Sequence, residues 1–270
     1  MTAFSIKDFS NFKSKQKKIT MVTAYDYTSA QILEAASINT ILVGDSLGMV
    51  IQGKQNTIEV TIDDILYHTK SVRAGAPNSF IIADMPYLSY HFSPNDTIKN
   101  AAKLICHGAA NAVKLEVNHI TTIEHIKALI SAQIPVIGHI GMTPQSINIF
   151  GGFKVQGKTN NEALHILKLA KEIELSGASA IVLECIPIDL AKKITKELTI
   201  PTIGIGAGNY CDGQVLVFHD LIGLTDSPPK FVKSYCNAKE ILTKSITIFA
   251  DDVTNGKFPE IQHSFTAAIK

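Results

Sequence analysis

Three carboxylates close three successive strand-like runs. Asp45 follows Ile41-Leu42-Val43-Gly44, Asp84 follows Phe80-Ile81-Ile82-Ala83, and Glu116 follows Ala112-Val113-Lys114-Leu115. Parallel strands lie about 4.8 Å apart, so if these runs are neighbours their terminal acids meet at one rim. Acids that close repel one another and are driven toward protonation, whereas a divalent cation makes all three favourable. The set contains no Cys or His, and oxygen ligation fits Mg²⁺ or a similar hard ion that keeps positions open for water and substrate. Asp45, Asp84 and Glu116 are therefore the candidate metal ligands. The competing reading is three unrelated helix caps or surface acids.

Lys114 stands two residues before Glu116, and period-two alternation points both side chains one way while Val113 and Leu115 point the other. A buried ammonium needs an anionic partner, which a substrate carboxylate, a developing enolate oxygen or one of the acids could supply. Glu184 ends the run Ala180 to Leu183, across the mouth from the other acids, and is available as a general base. Ser46 could offer its hydroxyl and N–H to a substrate carboxylate, although a serine after a strand equally serves as a helix cap. His139 ends another strand candidate and reads as a hydrogen-bonded core residue rather than a ligand. Gly204-Ile205-Gly206-Ala207-Gly208 suits either phosphate binding on backbone N–H groups or a plain tight turn. No Ser-His-Asp order with a nucleophile elbow appears, which disfavours hydrolase chemistry of that kind.

The elements that must position these groups follow from periodicity. Strands are expected at Ile19 to Ala24, Ile41 to Gly44, Phe80 to Ala83, Ala112 to Leu115, Pro135 to His139, Ala180 to Glu184, Pro201 to Ile205 and Gln214 to Phe218. Helices are expected at Tyr27 to Ser37, Thr61 to Ala74, Ser93 to His107, Thr121 to Ala132 and Asn161 to Ser176. Short, β-branched, non-alternating strands separated by helices indicate a parallel sheet buried on both faces, and eight of them indicate a (β/α)₈ TIM barrel. A doubly wound open sheet is the structural alternative. Only Gly206 to Gly213 separates the last two strands, so that unit is truncated or one strand is misplaced. Gly141 to Lys158 is long for a structureless connection and is a candidate functional loop. Lys233 to Thr254 reads as one helix outside the barrel, and Met1 to Thr20 as a solvated entry segment.

The chain has 270 residues, 46% of them hydrophobic and 18% charged, with a net charge of +1, and residues 1–270 read as one domain. That balance gives no electrostatic reason to expect nucleic acid or an anionic membrane, so a small molecule is the expected partner. No window approaches the roughly 18 apolar residues that would span a bilayer. Cys106, Cys185, Cys211 and Cys236 lack CxxC spacing, which argues against a zinc site and a disulfide framework and suits the reducing cytoplasm.

Six blocks, in order, carry a resemblance to a known family. They are Met21-Val22-Thr23-Ala24-Tyr25-Asp26, Ile41 to Gly48, Tyr67-His68-Thr69-Lys70, Gly138 to Gln145, Gly151 to Lys158, and Gly204 to Gly208 with Cys211 to Val217. The chain resembles the ketopantoate hydroxymethyltransferases from about residue 5 to 250. The resemblance implies a barrel, extended by helices at its N- and C-terminal ends, that moves a hydroxymethyl group from 5,10-methylenetetrahydrofolate to 3-methyl-2-oxobutanoate. The products are 2-dehydropantoate, a precursor of pantothenate, and tetrahydrofolate. It implies Mg²⁺ at Asp45, Asp84 and Glu116, substrate contacts from Asp45, Ser46, Asp84 and Lys114, and Glu184 as the catalytic base that forms a metal-stabilised enolate. It also implies a homo-oligomer, commonly a decamer. Two departures stand beside the acids: Val117-Asn118 where the family usually has two glycines, and Tyr87-Leu88-Ser89 where it usually has Phe-Gly-Ser. The runner-up is a lyase of the phosphoenolpyruvate mutase and isocitrate lyase type, which would need a Lys-Lys-Cys-Gly-His block that this chain lacks.

Overall fold

Runs such as Thr40 to Val43 and Phe80 to Asp84, with every side chain buried, have no solvent face and must be covered on both sides. The computed structural model describes residues 4–267, which fall into two compact units, Met1–Phe218 and His219–Lys270. In the first unit the strands are β1 (Ile19–Thr23), β2 (Thr40–Val43), β3 (Phe80–Asp84), β4 (Ala112–Glu116), β5 (Val136–Gly141), β6 (Ala180–Glu184), β7 (Thr202–Ile205) and β8 (Gly213–Leu216). They pair in sequence order, all parallel, and β8 returns to β1, closing the barrel. The open-sheet alternative is thereby removed. Gly206 to Asp212 carries no helix, yet β7 and β8 pair directly, so the seventh unit is truncated and its strand was correctly placed.

The helices of this unit are α1 (Ile6–Ser14), α2 (Tyr27–Ala35), α3 (Leu47–Val50), α4 (Ile62–Gly75), α5 (Pro94–Ala102), α6 (Thr122–Ser131), α7 (Ile147–Phe150), α8 (Asn160–Leu175) and α9 (Ile188–Glu197). Local chemistry sets their starts. Thr61 and Asp64 form a reciprocal capping box on α4, Ser93 accepts from Asp96 N ahead of α5, and Pro94 fills the first position, where no N–H is needed. Past Ala102 the expected helix continues to His107 as a wider π turn. Helix α9 has no counterpart among the sequence expectations; it buries Leu190, Ala191 and Ile194. Gly138 on β5 lets α8 come close, since a Cβ there would lie 2.6 Å from the Ile173 side chain.

The inward side chains of the lower strands form one apolar layer. Ile19, Met21, Leu42, Phe80, Ile82, Ala112, Ile137, Ala180, Val182, Ile203 and Val215 cluster there with Phe9. This corrects the expectation that residues 1–20 are a solvated entry segment. Helix α1 inserts a fully buried Phe9, which meets Phe80 edge-on at 5.6 Å between ring centroids, and Phe4, Ile6 and Phe12 pack around it. Lys13 adds a polar latch, donating to Thr195 O at 2.8 Å, Ile200 O at 3.1 Å and Asp212 Oδ2 at 2.9 Å.

Helix α10 (Phe218–Leu221) begins on the last residue of the first unit, and the second unit continues as irregular chain and then α11 (Ala238–Thr254). The helix starts five residues later than the expected Lys233, at the Asn237 cap, whose side chain accepts from Glu240 N. Ile241, Leu242, Ile246, Ile248, Phe249 and Val253 are all exposed on it. Among the described residues no helix is long and apolar enough to cross a membrane.

Candidate active site

The C-terminal ends of β2, β3, β4 and β6 bring Asp45, Asp84, Lys114, Glu116 and Glu184 into one mouth, as the strand-end argument requires. Asp45, Asp84, Lys114 and Glu116 are each at most 5% exposed. Asp84 is central: its Oδ2 accepts from the Asp45 backbone N–H at 3.0 Å and its Oδ1 lies 2.9 Å from Lys114 Nζ. Of the partners open to Lys114, the structure supplies one of the acids. Alternation along β4 holds, with Lys114 and Glu116 at the mouth and Val113 and Leu115 buried under the helices.

Two residues that sequence reasoning did not single out tie the acids together. Gln145, in the loop after β5, donates its backbone N–H to Glu116 Oε2 at 2.9 Å and its side-chain Nε2 to Asp45 Oδ2 at 2.8 Å and Met85 O at 3.0 Å. Tyr90 OH donates to Gln145 Oε1 at 2.7 Å, which fixes the amide orientation. Gln145 thus stands between Asp45 and Glu116. Among the described residues no three His, Cys, Asp or Glu side chains stand at mutual metal-ligand spacing, and this interposed amide is a physical reason for it. Its only sequence signal was its place at the end of the block Gly138 to Gln145.

Ser46 occupies the N-cap position of α3 but makes no capping hydrogen bond; its Oγ instead pairs with Tyr25 OH at 2.7 Å. The side-chain cap reading of this serine is set aside, and its hydroxyl is held by Tyr25. His139, expected to be a core residue, is buried but has polar surroundings. Its Nε2 is 3.1 Å from Glu184 Oε2, and its Nδ1 is 3.6 Å from Glu116 Oε1 and 3.4 Å from Lys114 Nζ. Gly206 and Gly208 take positive φ, and Gln214 Nε2 donates to Gly208 O at 2.9 Å, which is the tight-turn alternative for that glycine run.

The electrostatics follow from four carboxylates facing one ammonium. Burial, then repulsion from Asp84, pushes Asp45 up to about 7, against the pull of Lys114 and Gln145. Burial and the Asp45 charge hold Glu116 well above the usual carboxylate range. Burial raises Glu184 to about 7, with Lys114 opposing. For Lys114, burial alone would favour the neutral amine, but Asp84, Glu116 and Asp45 outweigh it and hold the proton. Burial and the Lys114 charge keep His139 neutral, well below the ordinary imidazole value. Buried carboxylates outnumber the one ammonium, and the proton affinities of Asp45 and Glu116 are raised first by burial and then by neighbouring charge. These oxygens are chemically suited to a hard divalent cation, although with Gln145 between them they do not stand at ligand spacing here.

Both departures from the family pattern lie at this rim. Leu88 adopts φ +63°, a conformation glycine takes freely, and Val117 and Asn118 line a small cavity with Gly141, Phe150 and His165.

A closed parallel barrel with acids at the C-terminal strand ends defines a class of barrel enzymes, and solved structures share the fold. Phosphonopyruvate hydrolase, crystallised with oxalate and Mg²⁺, matches with a TM-score of 0.63 at 12% identity, covering 98% of this chain and 92% of that one. 2,3-Dimethylmalate lyase, in its trigonal crystal form, matches with a TM-score of 0.62 at 13% identity, covering 98% and 90%. Sequence is more specific. Residues 3–261 match the family model described as ketopantoate hydroxymethyltransferase, and the chain belongs to that family. A 3-methyl-2-oxobutanoate hydroxymethyltransferase of Clostridium botulinum (strain Alaska E43 / Type E3) is 55% identical over 262 residues, 97% of this chain and 95% of the relative. Proteins of the same name from Clostridioides difficile (strain 630) and Enterococcus faecalis (strain ATCC 700802 / V583) are 52% and 50% identical, over 97% and 95% of this chain and 95% and 94% of theirs.

Proposed function

We propose that this chain transfers a hydroxymethyl group from 5,10-methylenetetrahydrofolate to 3-methyl-2-oxobutanoate, giving 2-dehydropantoate and tetrahydrofolate, with water supplying the hydroxyl oxygen. The observation that carries this reading is a single mouth in which a carboxylate tuned to about 7, Glu184, faces a buried ammonium, Lys114, and three further acids. Asp45, Asp84 and Glu116 would hold Mg²⁺, which when bound supplies a Lewis acid for the negative charge that develops on the keto oxygen. Ser46, held by Tyr25, and Lys114, with Asp45 and Asp84, bind and orient the keto acid. Glu184 takes the proton from C3; the C–H electrons move into the C2–C3 bond, and Lys114 balances the charge that reaches oxygen. The nucleophilic C3 then bonds to the folate-derived methylene carbon. Both carbon–nitrogen bonds of that carbon break, water gives it its oxygen, and the C3 proton and the two water protons end on the two freed nitrogens and the new hydroxyl. Buried walls exclude bulk water from the proton transfer, and a proton affinity near neutrality suits Glu184 both to accept the proton and to release it.

The same reading takes in assembly and place. Copies of this chain covering the exposed apolar side chains of α11, in the decamer that the family resemblance implies, would remove them from water. The protein would act in the cytoplasm.

The decisive experiment follows solvent deuterium into C3 of 3-methyl-2-oxobutanoate without folate. Exchange that depends on Mg²⁺ and stops on chelation is expected. No exchange at any Mg²⁺ concentration, or exchange indifferent to chelator, would overturn the proposal.

A further inference from the structure

Resting on that reading, we propose that His139 is the positioning residue for Glu184: it donates from Nε2 to Glu184 Oε2 and leaves Oε1 to meet C3 of the substrate. His139 lies within β5 in register with Glu116 of β4, while Gly141, two residues on at the end of the strand, stands in register with Glu184 of β6. The ring therefore bridges the wall that bears Glu116 and the wall that bears the base.

The tautomer follows from the neighbours. Lys114 Nζ lies 3.4 Å from Nδ1, and an ammonium only donates, so Nδ1 is the acceptor and the single ring proton sits on Nε2. Lys114 is itself anchored, with Asp84 Oδ1 at 2.9 Å. Glu116 Oε1 would favour the opposite tautomer, but it is farther away at 3.6 Å. The other oxygen of Glu116 already accepts from the Gln145 backbone N–H. The Met142 backbone accepts from the ring as well and competes for its proton, and the Asp84 charge also acts on it. Nε2 makes no hydrogen bond of good angle, and Glu184 Oε2 at 3.1 Å is the acceptor that a small rotation would bring into line.

Glu184 needs such a partner more than the other acids do. Its side chain is 17% exposed against 3% for Asp84 and Glu116, so the walls alone leave it the most freedom. A catalytic group displaced by about 1 Å can lose about 100-fold in rate, which is the scale of what the imidazole contributes by holding one oxygen still.

The test compares His139→Leu, which cannot donate, with His139→Gln, whose amide nitrogen reaches toward the place of Nε2 and donates. Read by deuterium exchange into C3, His139→Leu should be slowed about 10- to 100-fold. Its KM for the keto acid should stay within about twofold, and His139→Gln should recover most of the rate. A His139→Leu variant with undiminished exchange overturns the proposal, and so does a His139→Gln variant as slow as His139→Leu. A measurement independent of whether the variants fold is ¹⁵N NMR of histidine-labelled wild-type protein, with Nε2 protonated and Nδ1 bare as the expected pattern; the reverse pattern overturns the proposal. Wild-type protein that shows no exchange removes Glu184 from the base role and the proposal with it, an outcome distinguished by appearing before any substitution is made.

Discussion

The two ends of the barrel are built by the same strands to opposite specifications. On β4, Ala112 faces the apolar layer with Phe9, Ile82 and Ile137, while two and four residues later Lys114 and Glu116 enter the acid-lined mouth. The lower end holds no charged side chain in its cluster and is closed by aromatic rings; the upper end buries three carboxylates, an ammonium and a neutral imidazole, with Glu184 half-buried beside them. Carboxylates whose proton affinity is raised by burial oppose folding in their ionised form, so the mouth is a region of net strain that the lower end must offset. Stability and chemistry are thus separated along the barrel axis, not around it.

That separation can be broken at either end. The largest effect belongs to the mouth: Glu184→Gln should lower turnover by about 10²- to 10⁴-fold with little change in melting temperature, as kinetics and calorimetry on one sample would read. The pH dependence has a defined sign. An acid raised to about 7 is a competent base only above that pH, so exchange at C3 should climb through neutrality and level off, and a flat profile from pH 5 to 9 would contradict the assignment. Next in size, Phe9→Ala should destabilise the barrel by about 3–5 kcal/mol through the cavity it leaves, while kcat of the folded enzyme stays unchanged. A loss of kcat there would show that the two ends are coupled. The smallest effect sharpens the rim: Leu88 holds φ +63° and is 43% exposed. Replacing Leu88 by Gly should relieve backbone strain and, after the added chain entropy of glycine, stabilise by about 0.5–1 kcal/mol in chemical denaturation.

Much of this was legible in the sequence because buried parallel strands leave an unambiguous mark. Runs such as Ile41-Leu42-Val43 and Ala180-Ile181-Val182-Leu183 have no polar alternation, and an acid one or two residues after each one lies at a strand end. Where the reading failed, contacts remote in sequence decided the matter. Lys13, Lys15, Lys17 and Lys18 made the first twenty residues look solvated, masking Phe9 and Phe12, whose partners come from strands throughout the chain. Helix α9 is legible in the sequence, with a clear apolar stripe of Leu190, Ala191 and Ile194 in a lysine-rich segment, and its absence from the expectations has no physical cause. Gln145 and Tyr90 carry no titratable chemistry at neutral pH and reach the acids from loops, which spacing along the chain does not reveal. His139 was weighed as an isolated histidine, whereas its character comes from β4 and β6 on either side.

The latch between Lys13 and Asp212 spans 199 positions in the chain. During synthesis at about 5–20 residues per second, α1 therefore leaves the ribosome roughly 10–40 s before the carboxylate that receives its lysine has been made. For that interval Phe9 and Phe12 have no finished floor to enter, and nascent chains would gain from a holdase that shields those rings until the eighth strand arrives.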